Sequence, residues 1–182
     1  VRPESDFTPP SAWCPRPGLW HAADSEATED EVTILVAAFV RALQPEIVYE
    51  TGTSEGYTTA AIGAALAANG HGHLYAVEID AGLAARAAQR CAGLPVTVTC
   101  GDSRTWEPPG PAGFAWIDSA FTTRPQEILR LPFIPGAIAG VHDTGPQHPV
   151  AALLAPLEES GVLAGMLALR TPRGVTFARV TR

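Results

Sequence analysis

The chain has 182 residues, enough for one domain with a sizeable core, and its 46% hydrophobic and 17% charged residues are the balance of a soluble globular protein. A net charge of −7, with twelve basic residues that form no cluster, argues against the basic footprint that nucleic acid or an anionic membrane surface requires. All twelve are arginine, so no lysine is present to act as general base, Schiff-base amine or P-loop cation.

Residues 1–24 read as a proline-rich arm, with Trp13, Leu19 and Trp20 available to tack it onto a catalytic core at 25–182; the whole is a single domain. A helix follows, with Thr28-x-x-Glu31 as its capping box and an apolar stripe at Val32, Leu35, Val36, Phe39, Val40 and Leu43. Pro45 ends it. Five short apolar runs come next: 47–50, 74–79, 96–100, 114–118 and 137–142. They are rich in β-branched and aromatic residues, as strands of a parallel sheet buried on both faces are. Helical segments fill 57–69 and 81–93, with shorter or proline-interrupted links near 103–107, 124–131 and 149–160. Strand–helix alternation specifies an α/β fold of βαβ units. At the end, "VLAGMLALR", "TPRG" and "VTFARVT" read as two strands and a tight turn, an antiparallel hairpin on an otherwise parallel sheet. The cysteines Cys14, Cys91 and Cys100 fit neither a metal spacing nor a disulfide framework. With no signal-peptide pattern and no apolar run of membrane-spanning length, reduced thiols point to a cytoplasmic location.

In open α/β sheets, ligands bind beyond the carboxyl ends of the strands. The strand ends deliver, in order, Glu50, Glu78 with Asp80, Asp102, Asp118 and His142–Asp143. A lone acid there is most often a helix cap or a solvated end, but five in succession favour a functional crevice. The glycine loop "YETGTSEGYTT" between the first strand and its helix resembles a phosphate cradle, yet Glu50 and Glu55 would repel pyrophosphate. S-adenosylmethionine suits such a rim: it carries a sulfonium, an ammonium, ribose hydroxyls and only one carboxylate. Gly52 and Gly56 allow close backbone approach, and the helix starting at Tyr57–Thr58 offers amides to that carboxylate.

These motifs, with "YAVEID", "CGDS", "FAWIDSA" and "GAIAGVHDTG" in order, resemble those of class I S-adenosylmethionine-dependent methyltransferases over Val32 to Arg182. More narrowly, the chain is similar to small O-methyltransferases of the catechol and caffeoyl-CoA type. It is closest in style to antibiotic- and sugar-tailoring members, including the cephalosporin-hydroxylase-like group. The resemblance implies a Rossmann-like three-layer sandwich with a mostly parallel seven-stranded sheet and an antiparallel C-terminal strand. It implies methyl transfer to a hydroxyl of a small metabolite, and self-association of the kind common among such relatives. It sets Glu50, Gly52, Thr53, Gly56, Tyr57 and Thr58 around the methionine part. Glu78 falls at the ribose, Asp102 and Ser103 at the adenine, and Asp118 beside the transferred methyl group, with Ile79 a further cofactor-binding position.

Many such relatives hold Mg²⁺ or another divalent metal, and Asp118, His142 and Asp143 match the ligand positions. Two departures stand out: "DSAFTTR" lacks the lysine that catechol-type enzymes carry, and His142 stands where an acid is usual. Three readings of His142 follow: ligand to a softer metal, general base, or a histidine satisfied at a strand end beside a buried carboxylate. His148 can approach the same cleft, whereas His71 and His73 precede the second strand on the opposite rim. Arg104, Arg124 and Arg173 read as solvated or paired with acids. Two other functions stay open: an inactive scaffold that keeps the cofactor pocket, and a nucleotide-dependent oxidoreductase, against which the G-x-x-x-G spacing counts.

Overall fold

A computed structural model describes residues 11–24 and 26–182. The first ten residues of the expected arm lie outside the described residues. Among the described residues there are seven strands and five α-helices. They run α1 (Asp30–Leu43), β1 (Ile47–Thr51), α2 (Tyr57–Asn69), β2 (His73–Glu78), α3 (Ala81–Arg90) and β3 (Val96–Cys100). Then come β4 (Ala112–Ile117), α4 (Arg124–Arg130), β5 (Phe133–His142), α5 (Val150–Glu159), β6 (Leu163–Leu169) and β7 (Val175–Val180). The strand order is β3-β2-β1-β4-β5-β7-β6. The chain starts at the centre, winds outward to β3, and returns to lay β4 against the other side of β1. That reversal makes the crevice at the ends of β1 and β4 the topological switch point.

The first five strands pair in parallel, and β7 is antiparallel to both of its neighbours. The expected terminal hairpin is therefore present, but it is not simply appended to the edge. Strand β6 takes the edge, and β7 folds back into the gap beside β5.

Period-two alternation feeds two cores. Val48, Phe114, Trp116 and Phe177 face Val32, Val36, Val40, Ile62 and Leu66 of α1 and α2. Tyr49, Ala115, Ile117 and Val141 face Ile128 of α4 and Val150, Leu154 and Leu157 of α5. Helix α2 is buried on most sides, which explains its alanine- and glycine-rich composition. It lies in register with the sequence expectation, starting after Gly56 and stopping at Gly70. The link at 103–107 forms only a turn, and α5 continues through Pro156. Among the described residues, no helix is long and apolar enough to cross a membrane.

The capping box does not form. Helix α1 starts at Asp30 with Glu29 as N-cap and no side-chain capping bond. The Thr28 hydroxyl instead donates to Asp118 Oδ2 at 3.0 Å. Glu31 accepts from the His21 amide at 3.1 Å and pairs with its ring at 2.8 Å. The segment before α1 folds back over the sheet, and tertiary partners outcompete the local ones. Trp13 and Trp20 do anchor the arm, through a Trp13 indole bond to the Thr171 carbonyl and packing of Trp20 on the α1–α2 core, while Leu19 is exposed.

Candidate active site

The carboxyl ends of the strands open into a cleft of about 800 Å³ that includes Gly52, Glu78, Asp102 and Asp118 in its walls. Residues Ser119 to Arg124 line its other side. A narrower side pocket shares Gly52, Ser54 and Asp118 with it and reaches Glu50, Thr53, Tyr57 and Thr58. The sequence-derived positions thus converge on one rim.

The glycine loop is shaped by the chain's own backbone. Gly52 has φ +77°, and a Cβ there would lie 2.5 Å from the Asp118 carbonyl oxygen. Gly56 has φ +79°, and its Cβ would meet the Ala87 Cα at 2.7 Å. The two glycines let β1 cross the end of β4 and let α2 pack on α3, so any close approach to a ligand is additional to that demand. Gly52→Ala is expected to cost about 2–3 kcal/mol, read as a lower urea midpoint with an unchanged m-value. The N-terminus of α2 has no side-chain cap and no acid in its first turn. That differs from α3, where the Asp80 carboxylate caps the Leu83 amide at 2.8 Å. First-turn amides without such a cap suit an anionic group.

The two carboxylates of the loop have opposite surroundings. Glu55 pairs with Arg86 at 2.8 Å and its carbonyl accepts from Arg90, which also covers the Tyr57 ring. Its charge is matched within the chain, so it contributes little to the repulsion expected of it. Glu50 is buried, and its Oε2 has no hydrogen-bond partner. Burial, with the Asp118 and Glu78 charges nearby, pushes its carboxyl up to about 8. A buried acid with an orphaned oxygen suits a cation that arrives from outside the chain.

Glu78 is held in place by two backbone donors. Its Oε2 accepts from the Ser54 amide at 2.9 Å and its Oε1 from the Asp80 amide at 3.0 Å. Beside it, Ile79 is a largely exposed apolar side chain on the cleft wall. Asp102 is chelated by Arg104, with contacts of 2.6–3.0 Å, which hold its carboxyl down at about 2. Ser103 lies between them on the same wall.

Asp118, His142 and Asp143 come together, each offering a ligand atom within 4.8 Å of the others. That spacing matches the expected metal centre, but the partners do not. His142 is buried with both nitrogens on carboxylates: Nε2 to Glu29 at 2.7 Å and Nδ1 to Asp118 at 3.2 Å. Burial opposes its charge, yet Asp118 and Glu29 outweigh burial and push the imidazole up to about 10. An imidazolium donating from both nitrogens has no lone pair for a metal and none with which to accept a proton. Arg124, itself buried, donates from one nitrogen to Asp118 at 3.0 Å and to Asp143 at 2.8 Å. Arg173 donates to the other Asp143 oxygen at 2.6 Å. Asp143 sits at φ 55°, a left-handed turn that Asp tolerates and that accompanies these contacts. Three carboxylates, Glu29, Asp118 and Asp143, therefore face three cations of the chain, His142, Arg124 and Arg173. This donor set does not fit a divalent ion, because its imidazole has both nitrogens on carboxylates and its carboxylate charge is already matched by internal cations.

Arg104, Arg124 and Arg173 thus pair with acids, as their reading allowed. His148 reaches the cluster at 3.6 Å from Asp143 and packs on Phe121. Glu29 and Thr28 were missed as site residues because an acid run before an apolar stripe reads as a solvated first turn.

The sequence profile of a family described as a methyltransferase domain matches residues 49–144. No curated protein matches by sequence. Among solved structures, the chain is similar to the O-methyltransferase TomG of Streptomyces achromogenes, involved in tomaymycin synthesis and solved with S-adenosylmethionine. They share 22% identity over 87% of this chain and 83% of that one, with a TM-score of 0.71. An O-methyltransferase of Bacillus cereus in complex with S-adenosylhomocysteine gives 18% identity, 86% and 84% coverage and a TM-score of 0.72. The S-adenosylhomocysteine-bound Podospora anserina methyltransferase PaMTH1 gives 16%, 86%, 81% and 0.72. At these identities the likeness is one of fold, a Rossmann-like sandwich with a seven-stranded sheet.

Proposed function

The chain belongs to the methyltransferase-domain family, and from that premise we propose that it transfers a methyl group from S-adenosylmethionine to a hydroxyl of a small molecule. The observation that carries this reading is Glu50: a buried carboxyl with one oxygen, Oε2, left without a hydrogen-bond partner, beside an uncapped helix N-terminus at the switch point of the sheet. That pair is complementary to a ligand bearing both cationic groups and a carboxylate. When bound, the cofactor supplies an electrophilic methyl group on a cationic sulfur. The chain's own residues then have two tasks, to align and to receive a proton. Glu78, fixed by two amides, is the acceptor for the ribose hydroxyls. Asp102 and Ser103 take the adenine side of the cleft, with Ile79 beside Glu78 on the same lining. Asp118 faces the loop 119–124 side of the cleft, where the hydroxyl compound enters.

Calorimetry with S-adenosylhomocysteine and with NAD tests the donor. Micromolar binding of the former without the latter is expected, and the reverse order would reject the reading. Glu78→Ala removes a charged acceptor of hydroxyl hydrogen bonds, so S-adenosylhomocysteine is expected to bind about ten- to a hundredfold more weakly.

A further inference from the structure

We propose that this site works without a divalent metal, because Arg124 stands where the ion would and holds Asp118 and Asp143 in its place. The inference rests on the methyl-transfer reading for its purpose, but its evidence is the geometry of the cluster. An ion on Asp118, His142 and Asp143 needs a free imidazole nitrogen and carboxylate charge that no cation of the chain already matches. One guanidinium nitrogen of Arg124 bridges the two carboxylates at 3.0 and 2.8 Å. The rest of the guanidinium is anchored by backbone: Nε donates to the Ser119 carbonyl at 2.7 Å, and a second nitrogen donates to the His142 carbonyl. Arg173 occupies the remaining Asp143 oxygen, and Glu29 and Asp118 take both ring nitrogens of His142. A planar fork with several fixed donors can bridge in this way; a single ammonium cannot. Expelling it for an ion would leave a buried guanidinium unpaired, which is costly.

The consequence is a division of labour. Among Glu29, Asp118 and Asp143, only Asp118 keeps appreciable side-chain exposure, 13% against 0% and 1%. Arg124, His142 and the Thr28 hydroxyl fix its orientation. Arg124 is a positioning residue, and Asp118 is the carboxylate presented to the acceptor hydroxyl.

Mn²⁺ titration followed by electron paramagnetic resonance tests this on the whole chain, with S-adenosylhomocysteine calorimetry run in parallel. The wild type is expected to take up no stoichiometric Mn²⁺ at millimolar concentration. Arg124→Ala, shown to be folded by circular dichroism, is expected to bind Mn²⁺ at least about tenfold more tightly than wild type, since two carboxylates are released. Arg124→Lys keeps a charge but loses the anchored bridge, so it is expected to take up Mn²⁺ more weakly than Arg124→Ala. One equivalent of Mn²⁺ on the wild type overturns the proposal. So does a folded Arg124→Ala protein that gains none, a gain that a merely structural arginine would not predict. If Arg124→Ala does not fold, the wild-type titration alone decides. Failure of the wild type to bind S-adenosylhomocysteine would reject the cofactor reading and leave the metal result standing.

Discussion

Glu50→Gln is expected to make the ligand-free protein more stable and a poorer binder of S-adenosylmethionine. The Glu50 carboxyl, ordinarily near 4.5, is pushed up to about 8 in the folded chain. The folded state therefore binds more protons than the unfolded state between those values, and stability falls as pH rises through that window. At pH 7 the cost is on the order of 3 kcal/mol. Glutamine fills the same volume and has no charge to desolvate, so the melting temperature should rise by roughly 5–10 °C for a domain of this size. Binding has the opposite sign. A cationic ligand favours the ionised carboxylate, so binding at pH 7 should release close to one proton, and affinity should climb up to about tenfold per pH unit toward pH 8. Calorimetry in buffers of different ionisation enthalpy reads that proton directly. In Glu50→Gln both the proton release and the pH dependence should vanish. A variant that binds as tightly as wild type, with the same pH profile, would remove Glu50 from the site.

This trade-off shows which parts of the molecule its sequence discloses. Strands such as Ala112–Ile117 and the helix Tyr57–Asn69 are legible because burial on both faces demands continuous apolar runs and because glycines bracket the helix. The rim acids are legible for a related reason: parallel strands all end on the same side. What each acid does is not legible, because its partner is remote in sequence. Glu55 finds Arg86 31 residues away, and the identity of neither residue announces the pair. Thr28 meets Asp118 across 90 residues and Glu29 meets His142 across 113. Local rules assign Thr28 and Glu31 to a capping box, and tertiary contacts to Asp118 and His21 divert them. His142 was legible as a residue at the right place. Its protonation state was not, since it depends on two carboxylates brought from the start of α1 and the end of β4.

Glu29→Gln is accordingly expected to have the largest destabilising effect of the single-atom changes at the site. Glu29 accepts from His142 Nε2, from the Thr171 hydroxyl at 3.0 Å and from the Arg173 amide at 3.1 Å. Burial works against its charge, yet the His142 imidazolium beside it holds its carboxyl below the usual range. The amide removes one of the two charges that keep His142 protonated, and breaking such a buried pair typically costs about 3–5 kcal/mol. The pH dependence follows with a defined sign. His142 is raised from 6.5 to about 10, so its contribution is full below pH 6.5 and is lost as pH rises through 10. Glu50 acts in the same direction at lower pH, so the melting temperature of the wild type should peak on the acid side of neutrality and fall toward pH 10. Nitrogen-detected NMR of the imidazole distinguishes the two contributions. In the wild type, His142 should remain doubly protonated past pH 9, and in Glu29→Gln it should titrate at least one unit lower. A wild-type His142 that titrates between pH 6 and 7 would mean that the carboxylates do not hold it, and His142 would then be available as a base. If it stays charged, the segment before α1 is part of the active site: through Glu29 and Thr28 it supplies the contacts that fix His142 and Asp118 at the acceptor end of the cleft.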